Sequence, residues 1–240
     1  MTAHPFDEAI ALVREDDDHY TGHTSEAYWN SISPYGGITI ATLLNAILLH
    51  PRRLGDPLAL TVNFAGAIKK GPFRIALRAA RTGRSTQHWQ MELHQDGDPE
   101  ALITGTAVFA TARDTWADVE TPMPAAPPPQ DVAAAPALAV IPFLQRYATR
   151  YIDCNPFAGS EHSRTRAWLS DVPLRKIDFP SLAAFCDSFI PRLFVRMGAP
   201  RQVATVTLGI NFHVDGQALA AEQGRHVLTQ ARANVFNRGY

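Results

Sequence analysis

Asp187 is the strongest candidate in this sequence for a functional carboxylate. The surrounding apolar residues recur at spacings of three and four, which predicts one amphipathic helix over Phe179–Met197. Burial among these aromatic residues would raise the pKa of Asp187 unless hydrogen bonds or a cation stabilised its charge. The alternative is that Asp187 lies at the edge of the apolar stripe and contacts water, as most helical carboxylates do.

A second group of candidates shares one face of a strand predicted over Val203–His213. Its members are small or polar: Thr205, Thr207, Gly209, Asn211 and His213. This face could line a cleft, and it could equally be the solvent side of a half-buried sheet.

Gly36 and Gly37 stand at the start of an apolar segment. Two glycines at a helix start leave the first backbone N–H groups unobstructed, so they can receive an oxyanion or a carbonyl oxygen. The alternative is that the pair only forms a tight turn.

The basic residues Lys69, Lys70, Arg81 and Arg84 are the main cations of the first half. Arginine side chains often bind phosphates. Scattered surface charge is the other interpretation.

These candidates depend on the elements that position them. Residues 36 to about 50 are apolar on nearly every face, which predicts a helix buried inside the fold and ended by Pro51. Period-2 patterns predict four strands over Leu58–Phe64, Phe73–Arg81, Gln87–His94 and Ala101–Ala110. Because the connections are short and contain no helix, we expect an antiparallel sheet packed against the helix.

The pattern then returns. Leu60-Thr61-Val62-Asn63-Phe64 recurs 148 residues later as Leu208-Gly209-Ile210-Asn211-Phe212, each copy following an apolar helical stretch. Further strands are predicted over Phe143–Ile152, Thr165–Leu169 and Val227–Val235. Pro191 removes a backbone donor, so we expect a kink in the second helix.

The repeat predicts an α+β protein with two like halves: residues 1–120, a Pro/Ala-rich linker at 121–140, and residues 141–240. If Arg238-Gly239 corresponds to Gly83-Arg84, the second half lacks its last two strands. An unpaired sheet edge would remain, so we expect a shortened form of something longer, or a homo-oligomer in which another chain covers the gap.

Composition narrows the function classes. Hydrophobic residues make up 46% of the 240 residues and the net charge is −1, so we expect a folded protein without a nucleic-acid partner. The cysteines, Cys154 and Cys186, have no metal-ligand spacing. The apolar runs are shorter than a membrane span, and the acidic N-terminal region is unlike a secretory leader. We therefore expect an intracellular, cytoplasmic protein.

Across residues 20–240 the sequence resembles the double-hotdog acyl-CoA thioesterases of the acyl-CoA thioesterase II type. In the first half the matching residues are Tyr35-Gly36-Gly37, Leu60–Phe64, Arg84-Ser85, Gln95-Asp96-Gly97 and Thr104–Phe109. In the second half they are Arg166-Ala167-Trp168-Leu169, Cys186-Asp187-Ser188-Phe189, Val203-Ala204-Thr205-Val206 and Asn211-Phe212-His213.

The resemblance implies a tandem hotdog fold and hydrolysis of fatty or related acyl-CoA without a cofactor or metal. It implies that Asp187 and Thr205 position a water molecule, that Gly36 and Gly37 supply oxyanion donors, and that Arg84 and Ser85 help bind the substrate. The family also uses a glutamine on a late strand, for which no residue of this sequence is matched.

Two other functions stay open. A non-catalytic acyl-CoA-binding or scaffold protein would keep the fold and lose the complete water-activating set. A hotdog hydratase is disfavoured because Ala158 stands where the motif begun by Asp153-Cys154-Asn155-Pro156 requires histidine. That segment is predicted to be a turn, since Asn-Pro is a common turn dipeptide.

Overall fold

The computed structural model describes residues 3–136, 140–153, 155–222 and 224–237. The predicted buried helix is α2, Gly36–Leu48. The four strands predicted after it are confirmed: β3 (Asp56–Phe64), β4 (Pro72–Thr82), β5 (Thr86–His94) and β6 (Ile103–Ala110). All pairings among these four strands are antiparallel.

Helix α2 forms the centre of the first half. Most of its residues are buried, and Ile40, Leu43, Leu44 and Ile47 are completely so. The alternating residues of the sheet that face it are buried as well, for example Leu60 and Trp89. A helix that is apolar on every face has to be buried on every face, and the curved sheet that surrounds α2 buries it in this way.

Four elements before α2 have no counterpart in the sequence-based prediction. They are α1 (Pro5–Ala9), β1 (Val13–Arg14), β2 (His19–His23) and a 3₁₀ helix, Glu26–Tyr28. β2 extends the sheet beside β4, with Tyr20 opposite Ile75. Its sequence has little apolar alternation because Tyr20 is the single buried residue of the strand.

The second half begins with a 3₁₀ helix, Pro142–Arg146, followed by β7 (Tyr147–Tyr151) and β8 (Thr165–Asp171). The prediction of one strand over Phe143–Ile152 is therefore wrong for its first part. Pro142 suits the first turn of a helix because its ring fixes φ and its missing N–H is not needed there. Cys154, in the predicted Asn-Pro turn, lies outside the described residues.

The second helix is not continuous. It is divided into α3 (Phe179–Phe185) and α4 (Arg192–Met197), and Pro191 is the N-cap of α4. The expected kink is a complete break that starts five residues before Pro191. Asp187 consequently lies in the turn after α3, and the prediction that it lies in mid-helix is wrong.

The last described elements are β9 (Thr207–Asn211), α5 (Gly216–Ala221) and β10 (Val227–Ala231), and a short 3₁₀ helix, Pro129–Asp131, lies in the Pro/Ala-rich segment. β9 and β10 are shorter than predicted, and α5 was not predicted. One sheet has seven strands in the order β1-β2-β4-β5-β6-β3-β9, and the other has the order β10-β8-β7.

The two copies of the repeated motif pair with each other. β3 and β9 run antiparallel, with Leu60 opposite Ile210, Thr61 opposite Gly209 and Val62 opposite Leu208. Thr61 and Gly209 are also equivalent in the repeat, since they lie 148 residues apart. A pseudo-two-fold axis therefore passes through this pair and relates the halves.

Within the described ranges the second half contains no counterparts of β5 and β6. β10 pairs with β8 as β4 pairs with β2, and β9 corresponds to β3. β9 and β10 thus each have one edge without a strand partner among the described residues. Arg238-Gly239, for which a correspondence with Gly83-Arg84 is a prediction, lies outside those ranges.

The Pro/Ala-rich segment crosses the outer face of the three-stranded sheet. Trp168 donates from Nε1 to the carbonyl of Pro127 at 2.8 Å, and Arg150 donates to that of Val132 at 2.6 Å. The backbone N–H of Ala135 donates to the backbone carbonyl of Thr149 at 2.7 Å. The domain boundaries 1–120, 121–140 and 141–240 stay a prediction.

Asp171 is a fully buried carboxyl group at the end of β8, opposite Tyr147 on β7. In the described part of the chain neither of its oxygens has a hydrogen-bond partner, and the buried hydroxyls of Tyr147 and Tyr28 have none either. Burial raises the pKa of Asp171 to about 7, although Arg175 opposes that shift. The folded state therefore favours the protonated form.

We expect Asp171→Asn to remove a pH dependence of stability. Because the folded-state pKa lies above the unfolded value, the wild-type chain loses stability as the pH rises from about 4 to about 7, by about 4 kcal/mol. The neutral amide has no such loss. Denaturant unfolding between about pH 4.5 and pH 8 measures the difference, and the exposed Asp96→Asn is the control. A constant difference across that range would contradict this account.

Candidate active site

Asp187 lies where the two central helices meet. α3 packs against α2, and the turn after α3 reaches the first turn of α2. The backbone N–H of Gly37 faces the Asp187 carboxylate and lowers its pKa. This amide is one of the first-turn donors of α2 that have no partner within the helix, so it and the positive end of the helix dipole favour the anion.

The charge of Asp187 is finely balanced. Burial raises its pKa to about 6, while the hydrogen bonds from Gly37 and Thr205 lower it. At neutral pH the group is mostly ionised, and it remains basic enough to accept a proton from water. The interpretation that Asp187 is a fully solvated helical carboxylate does not fit this partly buried position.

Thr205 comes from the other side of the crevice. Its hydroxyl faces the Asp187 carboxylate, with 3.4 Å between Oγ1 and Oδ1. This distance is longer than a typical O–H···O hydrogen bond. Thr205 is exposed in the extended segment before β9, and the backbone carbonyl of Val206 beside it accepts a hydrogen bond from Phe64. The β3–β9 pairing therefore carries Thr205 to the site.

The rest of the polar face predicted on this strand is the solvent side of the sheet. Thr207, Gly209 and Asn211 are exposed, whereas Ile210 is buried. Thr205 is the member of the face that meets Asp187.

Neighbouring atoms approach Gly36 and Gly37 too closely for a Cβ atom to fit at either position. A Cβ atom at Gly36 would lie 2.5 Å from Oδ2 of Asp187 and 3.3 Å from the Phe64 ring. A Cβ atom at Gly37 would lie 2.4 Å from the Tyr35 hydroxyl and 2.5 Å from the Ala184 carbonyl oxygen. The glycine pair thus lets α3 and its carboxylate approach the amide end of α2.

The structure does not bring Arg84 and Ser85 to Asp187. They lie in the β4–β5 turn, where the Thr111 amide and the Arg113 guanidinium donate to Ser85. Ser85 adjoins the Ala110 end of β6, whereas Phe64 and Asp187 lie beside the Ile103 end. The separation along the strand is roughly 25 Å. Their proposed role in substrate binding stays a prediction.

Cys186 is a neighbour of the site whose place there could not be inferred from the sequence pattern. Its side chain is exposed to solvent at the turn, but desolvation by the surrounding residues and the adjacent Asp187 raise the pKa of the thiol to about 11. Across the described residues no group of three or more His, Cys, Asp or Glu side chains is placed to hold a metal ion. The same ranges contain no helix with the length and apolar character needed to cross a membrane.

Solved structures define the class of fold. A conserved protein of unknown function with hotdog fold from Alicyclobacillus acidocaldarius is 40% identical over 99% of this chain and 89% of its own, with a TM-score of 0.93. The acyl-CoA thioesterase II TesB2 from Mycobacterium marinum is 19% identical over 98% and 88%, with a TM-score of 0.72. The tesB protein from Mycobacterium avium subs paratuberculosis is 17% identical over 88% and 80%, with a TM-score of 0.67. The predicted α+β tandem hotdog is confirmed.

Family models identify the family. The acyl-CoA thioesterase N-terminal domain matches residues 25–110, and the acyl-CoA thioesterase C-terminal domain matches residues 120–240. This chain belongs to the acyl-CoA thioesterase family, as its resemblance implied. A search of curated protein sequences found no match.

Gly36→Ala should impair the site while leaving the core largely intact. Its new methyl group meets the end of the Asp187 side chain, which can move, whereas that of Gly37→Ala meets backbone. We expect thioester hydrolysis to fall roughly 10- to 100-fold in Gly36→Ala, because small displacements of a reacting group are costly. Gly37→Ala should also lower the melting temperature.

Gly209→Ala is the matched control, since its methyl group would have one neighbour, at 3.9 Å. Wild-type activity in Gly36→Ala would show that Asp187 does not depend on this contact.

Proposed function

We propose that this protein hydrolyses a fatty or related acyl-CoA to the free acid and CoA, using a water molecule positioned by Asp187 and Thr205. The observation that carries the proposal is the partly buried Asp187 carboxylate, which faces both the Gly37 amide and the Thr205 hydroxyl. Membership of the acyl-CoA thioesterase family supports the substrate class.

The reaction balances without a cofactor. Asp187 takes a proton from the water as its oxygen forms a bond to the thioester carbonyl carbon. The tetrahedral oxyanion then collapses, the carbon–sulfur bond breaks, and the thiolate of CoA leaves and takes up the proton. The carboxylic acid and the thiol are the two products.

The oxyanion requires donors at the same place. Gly36 and Gly37 are the proposed oxyanion site, at the N-terminus of α2. Because the Gly37 amide faces Asp187, the Gly36 amide is the proposed donor to the oxyanion. One such donor contributes about 2.7–4 kcal/mol to transition-state stabilisation in studied enzymes.

Several other parts of the proposal rest on the chemistry of the residues and not on contacts seen in the structure. The acyl chain would lie in an apolar channel between helix and sheet, and Arg84 and Ser85 would meet the CoA part of the substrate, with Arg84 contacting its phosphates. The protein would act in lipid metabolism in the cytoplasm. A homo-oligomer would cover the strand edges of β9 and β10.

One observation favours a second function, that of a non-catalytic acyl-CoA-binding protein. The glutamine used by the family is carried on a late strand, and the described second half has no counterparts of β5 and β6. Such a protein would bind CoA thioesters without releasing thiol.

Asp187→Asn tests the catalytic role. The amide keeps the size of the side chain but cannot accept the proton, so kcat should fall roughly 10²- to 10⁴-fold. The wild-type rate should rise with pH through an apparent pKa of about 6, and this limb should be absent from the residual activity of the variant. Thiol release from a panel of acyl-CoA substrates measures both.

The controls separate folding from chemistry. At about pH 8 Asp187→Asn should be at least as stable as wild type, because burial disfavours the charge that it removes. Asp114→Asn, in an exposed segment, should keep full activity. A wild-type rate in Asp187→Asn would disprove the role of Asp187. CoA binding without thiol release by the wild type would support the second function.

A further inference from the structure

We propose that Tyr35 is a positioning residue: its hydroxyl ties the last turn of α3 to the start of α2 and thereby holds Asp187 over the Gly37 amide. The inference deepens the proposed function and rests on it for its kinetic consequences. Its structural core is a single hydrogen bond between the two helices.

Tyr35 donates that bond to the carbonyl oxygen of Ala184 at 2.5 Å. The same carbonyl accepts the backbone N–H of Asp187 at 3.1 Å. The Tyr35 hydroxyl therefore acts one hydrogen bond away from the backbone of Asp187. Because Ala184 lies in the last turn of α3, the Ser188 amide four residues later donates to Phe185 instead, and the Ala184 carbonyl can accept from Tyr35.

The ring of Tyr35 also lies against Gly37, whose amide faces the carboxylate. Its hydroxyl and Cζ both lie 2.4 Å from the position that a Cβ atom of Gly37 would occupy. Tyr35 is the N-cap of α2, so the residue that starts this helix folds its side chain back over the second helical residue. One phenol thus lies against Gly37 and, through the Ala184 carbonyl, one hydrogen bond away from Asp187.

The neighbours of Tyr35 hold the ring in a single place. Phe143 stacks on it with 4.3 Å between ring centroids and an interplanar angle of 4°. Tyr147 packs edge-on at 5.8 Å. Tyr35 is almost completely buried, and burial raises the pKa of its hydroxyl well above 10, so it remains a donor throughout the working pH range.

Loss of the hydrogen bond between Tyr35 and Ala184 should change the pKa of Asp187. The Gly37 amide lowers the pKa of Asp187 against the effect of burial, so a looser turn should let that pKa rise. The other titratable groups near Asp187 are Cys186 from its own turn, Tyr35 from α2 and Tyr147 from β7. All three have raised pKa values and stay protonated, so the acid limb reports Asp187.

Tyr35→Phe is the test. The variant keeps the stacked ring and removes one oxygen atom. We expect kcat to fall roughly 10- to 100-fold with KM changed less than about threefold, because positioning and not binding is lost. The acid limb of the kcat profile should move upward by about 0.5–1 unit.

A readout independent of turnover accompanies the kinetics. Carbon-13 NMR of aspartate-labelled protein measures the pKa of the Asp187 carboxyl, with Asp187→Asn providing the assignment. The pKa should rise in Tyr35→Phe even if the wild-type protein proves to have no thioesterase activity. Failure of the proposed function can therefore be distinguished from failure of this inference.

Tyr28→Phe is the matched control. Tyr28 is equally buried, and its hydroxyl has no hydrogen-bond partner among the described residues. It contacts Tyr147 and Phe6, so its substitution removes a buried hydroxyl without touching Ala184. We expect an unchanged Asp187 pKa and unchanged kcat.

An Asp187 pKa that is unchanged in Tyr35→Phe would overturn the inference. An equal shift in Tyr28→Phe would do the same, since the effect would then be a general response of the core.

Discussion

The antiparallel pairing of β3 with β9 is the constraint on which the rest of this molecule depends. It joins the two copies of one motif around the Thr61–Gly209 pair and so fixes how the halves face each other. The central helices then meet, and the turn after α3 reaches the amide end of α2. Thr205, two residues before β9, arrives at the same crevice. A change of register by one residue would turn every side chain of β9 to the opposite face.

The elements with strong periodicity could be predicted from the sequence. Strands β3 to β6 could be predicted because apolar residues alternate along a strand that has one buried face. Helix α2 could be predicted because it is apolar on nearly every face. β2 was not predicted, because a strand with a single buried residue shows no alternation of apolar and polar residues. The break after α3 was not predicted. The apolar residues that follow it still recur at spacings of three and four, although the backbone there is no longer helical.

The sequence predicted which residues would meet at the candidate site, but it did not predict how their backbone is arranged there. Asp187, Thr205, Gly36 and Gly37 come together as expected, although Asp187 lies in a turn and the Gly37 amide already serves the carboxylate. A pattern along the chain cannot show Tyr35 over Gly37, since that contact arises from the packing of α2 against a helix almost 150 residues away. The position of Arg84 at the far end of β6 likewise depends on the sheet register.

The helix starts show that the internal symmetry is broken at the site itself. α2 follows its N-cap Tyr35, and α3 follows its N-cap Asp178. Counting from these caps, Gly37 corresponds to Pro180 and Asp187 corresponds to Leu44. At the place related to this site by the pseudo-two-fold axis, Pro180 stands for Gly37 and has no amide donor, and the buried Leu44 stands for Asp187. The proposed function therefore assigns one reaction centre, and not two, to each chain.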